Sequence, residues 1–353
     1  MNPDRVEKIA EAVLYEGYML YPYRLSSVKN QQRWNFGVLY PPMYCGQQAG
    51  AECSSMQTEC LLHADSSTKL MVKVRFLQIV QRSIGRFCVP SAGTSDGADP
   101  DIEFIDRLEV AGRIYQPWQE AVERDLSYEV PDIQAFSLSL YPFSFSGGKG
   151  VEDLCDEQGA IAGALVREWK ALNGSVEIRS ERCRGDVVKV TVRVHNLAFC
   201  DSPDNSECAD RESALLQSLV SAHTILGAVQ GEFISLLDPP SNFDDLVAGC
   251  KNIGTWPVLA GDASDMMLSS PIILYDYPQI APESAGNLFD STEIDEILSL
   301  RILTLTDAEK REMRQSDDRT RGILERTENM PEEQFMKLHG VLRGLNVLKE
   351  ERQ

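Results

Sequence analysis

The sequence predicts an α+β protein: an N-terminal helix, a predominantly antiparallel β-rich body for which a sandwich is one fitting arrangement, and a charged helical C-terminal extension. Three observations carry this. Val188, Val190, Val192 and Val194 alternate with Lys189, Thr191, Arg193 and His195 behind an Arg184-Gly185-Asp186 turn, the period-two pattern of a hairpin arm with one buried face. Val72, Val74 and Phe76 alternate with Lys73 and Arg75 in the same way, predicting a half-buried strand over 69–80. At both ends of the chain the apolar residues recur at helical spacing instead.

Taken in order, Val6, Ile9, Ala10, Val13 and Leu14 share one helical stripe behind Asn2-Pro3-Asp4, a capping sequence, and Pro22 ends the helix that this predicts over 4–20. Residues 34–40 alternate as a strand up to Pro41-Pro42, and a loop of small residues follows. After the strand at 69–80, PSAGTSDGADPD (90–101) offers nothing to bury and reads as a surface loop. Residues 102–115 fit strand or helix equally, and Trp118 to Val122 has the look of a short helix. Residues 132–146 alternate as a strand, and Gly147, Gly148 and Gly150 open the loop after it. That GGKG run lacks the spacing of a phosphate-binding loop or a dinucleotide fingerprint.

Beyond the hairpin at 175–198, Ala214, Leu215 and Leu219 begin a helix, HTILGAVQGEFISLL reads as a second hairpin, and Asp238-Pro239-Pro240 turns the chain. Ile272 to Leu274 reads as a buried strand that ends at Tyr275, Asp276 and Tyr277. Asp290 or Ser291 then caps a helix, and Thr306-Asp307 caps another. Pro331 starts the last one, and Met313, Ile323, Leu324, Phe335, Leu338, Leu342 and Leu345 make its narrow stripe together with its predecessor. The resulting division is 1–89 (helix plus strands), the loop 90–101, a β-rich body over 102–300 continuous with the first part, and the extension 301–353.

The chain has 353 residues and a formal net charge of −20. A field of that sign repels phosphate backbones and anionic lipid, which argues against nucleic acid as a partner. No apolar run is long enough to insert directly into a membrane, and the N-terminus lacks the pattern of a signal peptide, so the expected location is cytoplasmic. Nine cysteines without a single CxxC pair are expected to be reduced thiols there. Cys45, Cys53 and Cys60, with His63 three residues on, come nearest to a metal cluster, but their spacing is wider than the two to four residues of ordinary zinc ligands. No cofactor is expected. The usual hydrolase, nucleotide and zinc-protease motifs are absent, which favours a non-enzyme; the catalytic alternative is a metal- or cysteine-dependent enzyme using Cys60 with His63 or His223.

Two stretches invite a binding role. Residues 13–42 hold Tyr15, Tyr18, Tyr21, Tyr23, Trp34, Phe36 and Tyr40 interleaved with Arg24, Lys29 and Arg33; buried rings of this kind need partners for their polar ends and stack well with arginine. Tyr275, Asp276, Tyr277 and Glu283 lie among Pro278, Pro282 and Gly286, which force an irregular path. Packing accounts for either stretch by itself. As a partner-binding surface, Tyr15, Tyr18, Arg24, Arg33, Trp34, Tyr275, Asp276, Tyr277 and Glu283 are the residues to watch.

The segments AVLYEGYMLYPYRLSSVKNQQRWNFGVLYP, SMQTECLL with VKVRFLQ, LLDPP and ILYDYPQIAPESAGNLFDSTEIDEILSLRILTLTDAEKREMR together resemble a poorly characterised bacterial family encoded beside actinobacterial-type, oxygen-tolerant uptake nickel-iron hydrogenases. The resemblance spans most of the chain, and its motifs name a family without naming a chemistry. It implies an accessory, assembly or complex-stabilising protein that binds hydrogenase subunits or their maturation proteins. The paired CxxC motifs of a hydrogenase large subunit are missing, so the chain is not expected to be the catalytic subunit.

Overall fold

The computed structural model describes residues 3–14, 34–48, 50, 52–87, 102–134, 137–199, 210–279, 302–314 and 318–331. These form mostly antiparallel sheet with few helices. The strands are β1 (Ser55–Phe87), β2 (Ile102–Ile105), β3 (Leu108–Val110), β4 (Arg113–Tyr115), β5 (Trp118–Val130), β6 (Ser137–Phe145), β7 (Gly148–Cys155), β8 (Ile161–Trp169), β9 (Leu172–Arg182), β10 (Val187–Asn196), β11 (Val220–Ile234), β12 (Trp256–Ala260) and β13 (Met266–Ser270). The helices are α1 (Pro3–Leu14), α2 (Pro42–Gln47), α3 (Arg211–Leu215), α4 (Asp244–Ala248), α5 (Asp307–Arg314) and α6 (Asp318–Glu328).

One strand organises the rest. β1 is 33 residues long and pairs in turn with β10, β11, β5, β8 and β2, always antiparallel. The main path runs β12-β13-β11-β1-β10-β9-β6, so strands from both sides of residues 88–101 belong to one sheet. β1 serves both halves because it bends between Ala64 and Lys69, where its register against β11 shifts. The bend is built from small polar side chains. Thr68 Oγ1 accepts from Asp65 N (2.9 Å) and donates to the carbonyl of Gln230 (2.5 Å) across the ladder. Gln230 takes a left-handed φ of 56°, and a Cβ on Gly231 would stand 2.8 Å from Thr68 Cγ2 and 3.0 Å from the His63 carbonyl; only glycine fits there.

Bending turns one face of β1 inward from Met56 to Phe76. Cys60, Leu62, Leu70, Val72, Val74 and Phe76 join the four hairpin valines, Val176 and Ile178 of β9, and Leu226 of β11 in one core. Phe76 meets Phe143 and Phe145 of the edge strand β6 at ring-centroid distances of 5.9 Å each, while Tyr128 of β5 stacks on Tyr141 of β6 at 4.4 Å. The two ends of the bent sheet are thus brought together by aromatic side chains. A second sheet switch is held by fully buried Gln78, which donates to Lys170 O (2.7 Å) and accepts from Arg124 Nε (2.9 Å) at the joint between β8 and β9.

The helices cover what the sheet leaves open. Val6, Ile9 and Ala10 of α1 pack on Ile225, Ala260, Met266 and Leu268, and Leu14 joins Trp34, Tyr40, Tyr44 and Leu77 in a neighbouring cluster. Lys73 pairs with Glu7 of α1 at 2.8 Å. In the C-terminal pair, Thr306 and Glu309 exchange bonds as a capping box at the start of α5, and Arg314 and Lys310 both pair with Glu328 of α6. Met313, Ile323 and Leu324 are buried, as their stripe predicts. Thr306→Ala is expected to cost about 1 kcal/mol of local stability, read as faster hydrogen exchange of the first α5 amides with the β-strand amides unchanged.

Several expectations change. Residues 34–40 are not a strand: Trp34 and Gly37 have φ of 64° and 54°, and Leu39 alone makes bridges. Residues 118–122 begin the thirteen-residue strand β5, because a full ladder to β1 outweighs any local helical preference. HTILGAVQGEFISLL is one strand with a bulge, as Gln230 kinks the chain without reversing it. Ile272 to Leu274 is irregular and Ile273 is 73% exposed, since the sheet ends at Ser270. The GGKG run is neither loop nor cradle: Gly148 opens β7, and a Cβ there would lie 2.5 Å from the Trp169 indole that covers it. The helix expected over 4–20 is described as far as Leu14. The loop at 90–101, the cap at Asp290-Ser291 and the last helix after Pro331 lie outside the described residues.

Candidate interaction site

The strand β12 ends the sheet, and the segment 271–277 runs along its outer edge. Its first residues leave β13 opposite Trp256, the partner of Ser270 in the ladder. Further on, the Asp276 carboxylate accepts from Leu259 N (2.8 Å) and from Ser235 Oγ (2.5 Å), and Tyr277 N donates to Leu259 O (2.7 Å). Both outward backbone groups of Leu259 are thereby occupied, and Pro257, two residues earlier on the same edge, has no N–H to offer. The edge is closed to strand addition.

The same fastenings fix what the segment displays. Tyr277 is held at a φ of 56°, strained for a bulky side chain, and its hydroxyl lies 3.1 Å from Ser264 Oγ. Just before these ties Tyr275 projects with 86% of its surface exposed, two residues after the exposed Ile273, and on the neighbouring strand β12 Trp256 is 45% exposed. An aromatic ridge on a tied backbone loses little conformational entropy on contact, the property that makes aromatic anchors effective in interfaces.

Next to the ridge, the bend of β1 leaves an open cavity of about 560 Å³ whose lining includes His63, Asp65, Asp186, Glu232, Ser264 and Asp265. Ser264 joins the two features, since it lines the cavity and meets Tyr277. Asp65 accepts from Ser67 Oγ (2.5 Å) and Ser67 N (2.7 Å), and these donors hold its carboxyl below the usual carboxylate range. His63 Nδ1 lies 3.1 Å from Asp186 Oδ2, and its ring stands edge-on to Phe243 at 5.2 Å. The cavity is therefore lined by four carboxylates and one imidazole.

Of the residues expected to bind a partner, Tyr275, Asp276 and Tyr277 form this ridge, with Asp276 as its fastening. Trp34 lies elsewhere and inside: it is 3% exposed, packs against Leu14 and Tyr40, and donates from Nε1 to Gln119 Oε1 at 3.0 Å. Tyr15, Tyr18, Arg24, Arg33 and Glu283 lie outside the described residues. The aromatic run and the Tyr275 segment meet at one described place, Gly37, where a Cβ would stand 2.6 Å from the Pro271 ring.

The cysteine candidates do not converge. Cys45 donates to Tyr40 O, and the Cys53 carbonyl accepts from Tyr40 N, so those two sit around one tyrosine. Cys60 is fully buried on the core face of β1, and His63, three positions on, points to the opposite face. Burial pushes the Cys60 thiol up, away from the thiolate that nucleophilic or metal chemistry requires. His223 pairs with Arg75, far along β1 from Cys60, and its side-chain face is that of Ser221 and Ile225 under α1. Among the described residues no three His, Cys, Asp or Glu side chains are placed to hold a metal ion. No described helix is long and apolar enough to cross a membrane.

Sequence reasoning missed Trp256, Ile273 and the acidic cavity. The carboxylates of the cavity come from four separate places in the chain, and only the bend in β1 brings them together. No protein-family model matches this chain, and no curated protein matches it.

Proposed function

We propose that this chain is a non-catalytic accessory protein that holds a partner protein against the Trp256–Tyr275 ridge. The observation that carries the reading is Tyr275, almost wholly exposed directly before a stretch of backbone tied down through Asp276, Tyr277 and Ser264. A side chain that contributes nothing to the core and yet is presented so rigidly suits recognition. Nothing comparable favours catalysis, because Cys60 and His63 point to opposite faces of β1 and His223 lies on β11 opposite Arg75, far along β1 from both. For the partner, the quoted segments that resemble hydrogenase-associated proteins make an uptake nickel-iron hydrogenase, or its maturation machinery, the class to test, in a cytoplasmic setting.

The test is anaerobic affinity purification of the tagged chain from its host, with Tyr275→Ala in parallel. The wild type is expected to return hydrogenase subunits or maturation proteins in stoichiometric amount. The variant is expected to lose them, with its circular dichroism and melting curve unchanged, since truncating an exposed anchor costs about 2 kcal/mol or more of binding and little stability. A wild type that comes back alone, or a variant that keeps its partner, overturns the reading.

A further inference from the structure

We infer that the partner segment seated on the β12 ridge is rich in lysine or arginine, and that the cavity at the β1 bend receives its basic side chains. This rests on the binding reading above and adds the chemistry of what is bound.

Continuity and charge carry it. The segment that carries the ridge and the cavity meet at Ser264, which lines the cavity and touches Tyr277, so a partner long enough to extend from Tyr275 past Tyr277 reaches the cavity. There it meets Asp65, Asp186, Glu232 and Asp265 against a single His63, in a chain whose formal net charge is −20. An acidic segment would place like charges opposite one another, while a basic one is steered in by the field before contact. Main-chain pairing cannot supply the affinity instead, because Pro257 and the occupied backbone of Leu259 close the β12 edge. Recognition is left to side chains: apolar ones on the ridge and cationic ones in the cavity.

Two short labelled peptides with a common Leu-Phe-Leu centre, one flanked by lysines and one by glutamates, test this by fluorescence anisotropy on the full chain. The lysine peptide is expected to bind in preference and to weaken as salt is raised. Asp65→Asn with Asp186→Asn, and separately Tyr275→Ala, are expected to weaken it on the order of tenfold. Because Asp65 also holds the bend, Glu232→Gln with Asp265→Asn makes the same charge change in the cavity while leaving the Asp65–Thr68 turn intact. Asp153→Asn with Glu157→Gln, at the far end of the β7–β8 hairpin, removes equal charge elsewhere and is expected to leave binding unchanged. Equal loss on that control, or no preference for the lysine peptide, overturns the inference. A hydrogenase partner that co-purifies through Tyr275 while the lysine peptide shows no preference sinks the charge inference alone; a tagged chain that returns alone removes the binding reading beneath it.

Discussion

Phe76→Ala is expected to lower the free energy of unfolding by about 3–5 kcal/mol. Phe76 is fully buried on β1 and touches both Phe143 and Phe145 of β6, the strand at the other end of the bent sheet. Arg124 of β5 lies over the Phe145 ring at 4.8 Å, so the ring of Phe76 is the centre of the seam between β5 and β6. Removing it opens a cavity that a sheet already committed to its ladders cannot collapse to fill. Phe76→Leu keeps much of the volume and is expected to cost distinctly less. Urea unfolding of the three proteins, followed by fluorescence and circular dichroism, decides it. An alanine variant as stable as wild type means that the aromatic contact does not close the fold, and separate transitions by the two probes mean that the halves of the sheet unfold independently.

The seam shows what was legible in the sequence and what was not. Alternation along 188–194 and 72–76 places the right residues inward, because a half-buried strand writes its burial directly into a period of two. Nothing in that alternation says that Phe76 meets Phe143 and Phe145, since those contacts depend on the bend at Asp65–Thr68. The sequence predicts a strand only from residue 69 onward; in the fold Thr68 reaches across to Gln230 and the strand runs unbroken through Asp65–Thr68 from Ser55. β5 misleads for the complementary reason. Trp118 to Val122 sits at an outer edge and buries little, so it carries no strong period, and only its ladder to β1 makes it a strand. The ridge was legible as the residues Tyr275, Asp276 and Tyr277, though through a different cause: they follow an irregular segment fastened to β12 and do not cap a strand. Trp34 was legible as an ordered aromatic, and its place in the core follows from the structural reading of its stretch, with Gln119 as the partner that its indole N–H needs.

His223 is expected to make this protein lose roughly 3 kcal/mol of stability as pH falls from 6.5 toward 4. The ring is fully buried beneath α1; its Nδ1 lies 2.9 Å from Ser221 O, which makes Nδ1 the donor and leaves Nε2 a buried acceptor with no partner among the described residues. Burial chiefly, against the pull of that bond and of Glu123 and together with the nearby Arg75 and Lys73, holds its pKa at about 4 against an ordinary 6.5. The charged groups around it are themselves paired, Arg75 with Glu123 and Lys73 with Glu7 of α1, so none is spare to welcome a second cation. Above pH 6.5 both folded and unfolded states hold the ring neutral and the full stability is present. Below it the unfolded chain takes up a proton that the folded chain refuses, and stability falls until the folded ring also titrates near 4. Urea midpoints of wild type and His223→Gln across that window test the assignment. The variant lacks the titrating group and is expected to show a flatter profile whatever its stability at neutral pH; equal slopes in the two proteins would place the acid sensitivity in other groups and leave His223 a merely structural histidine.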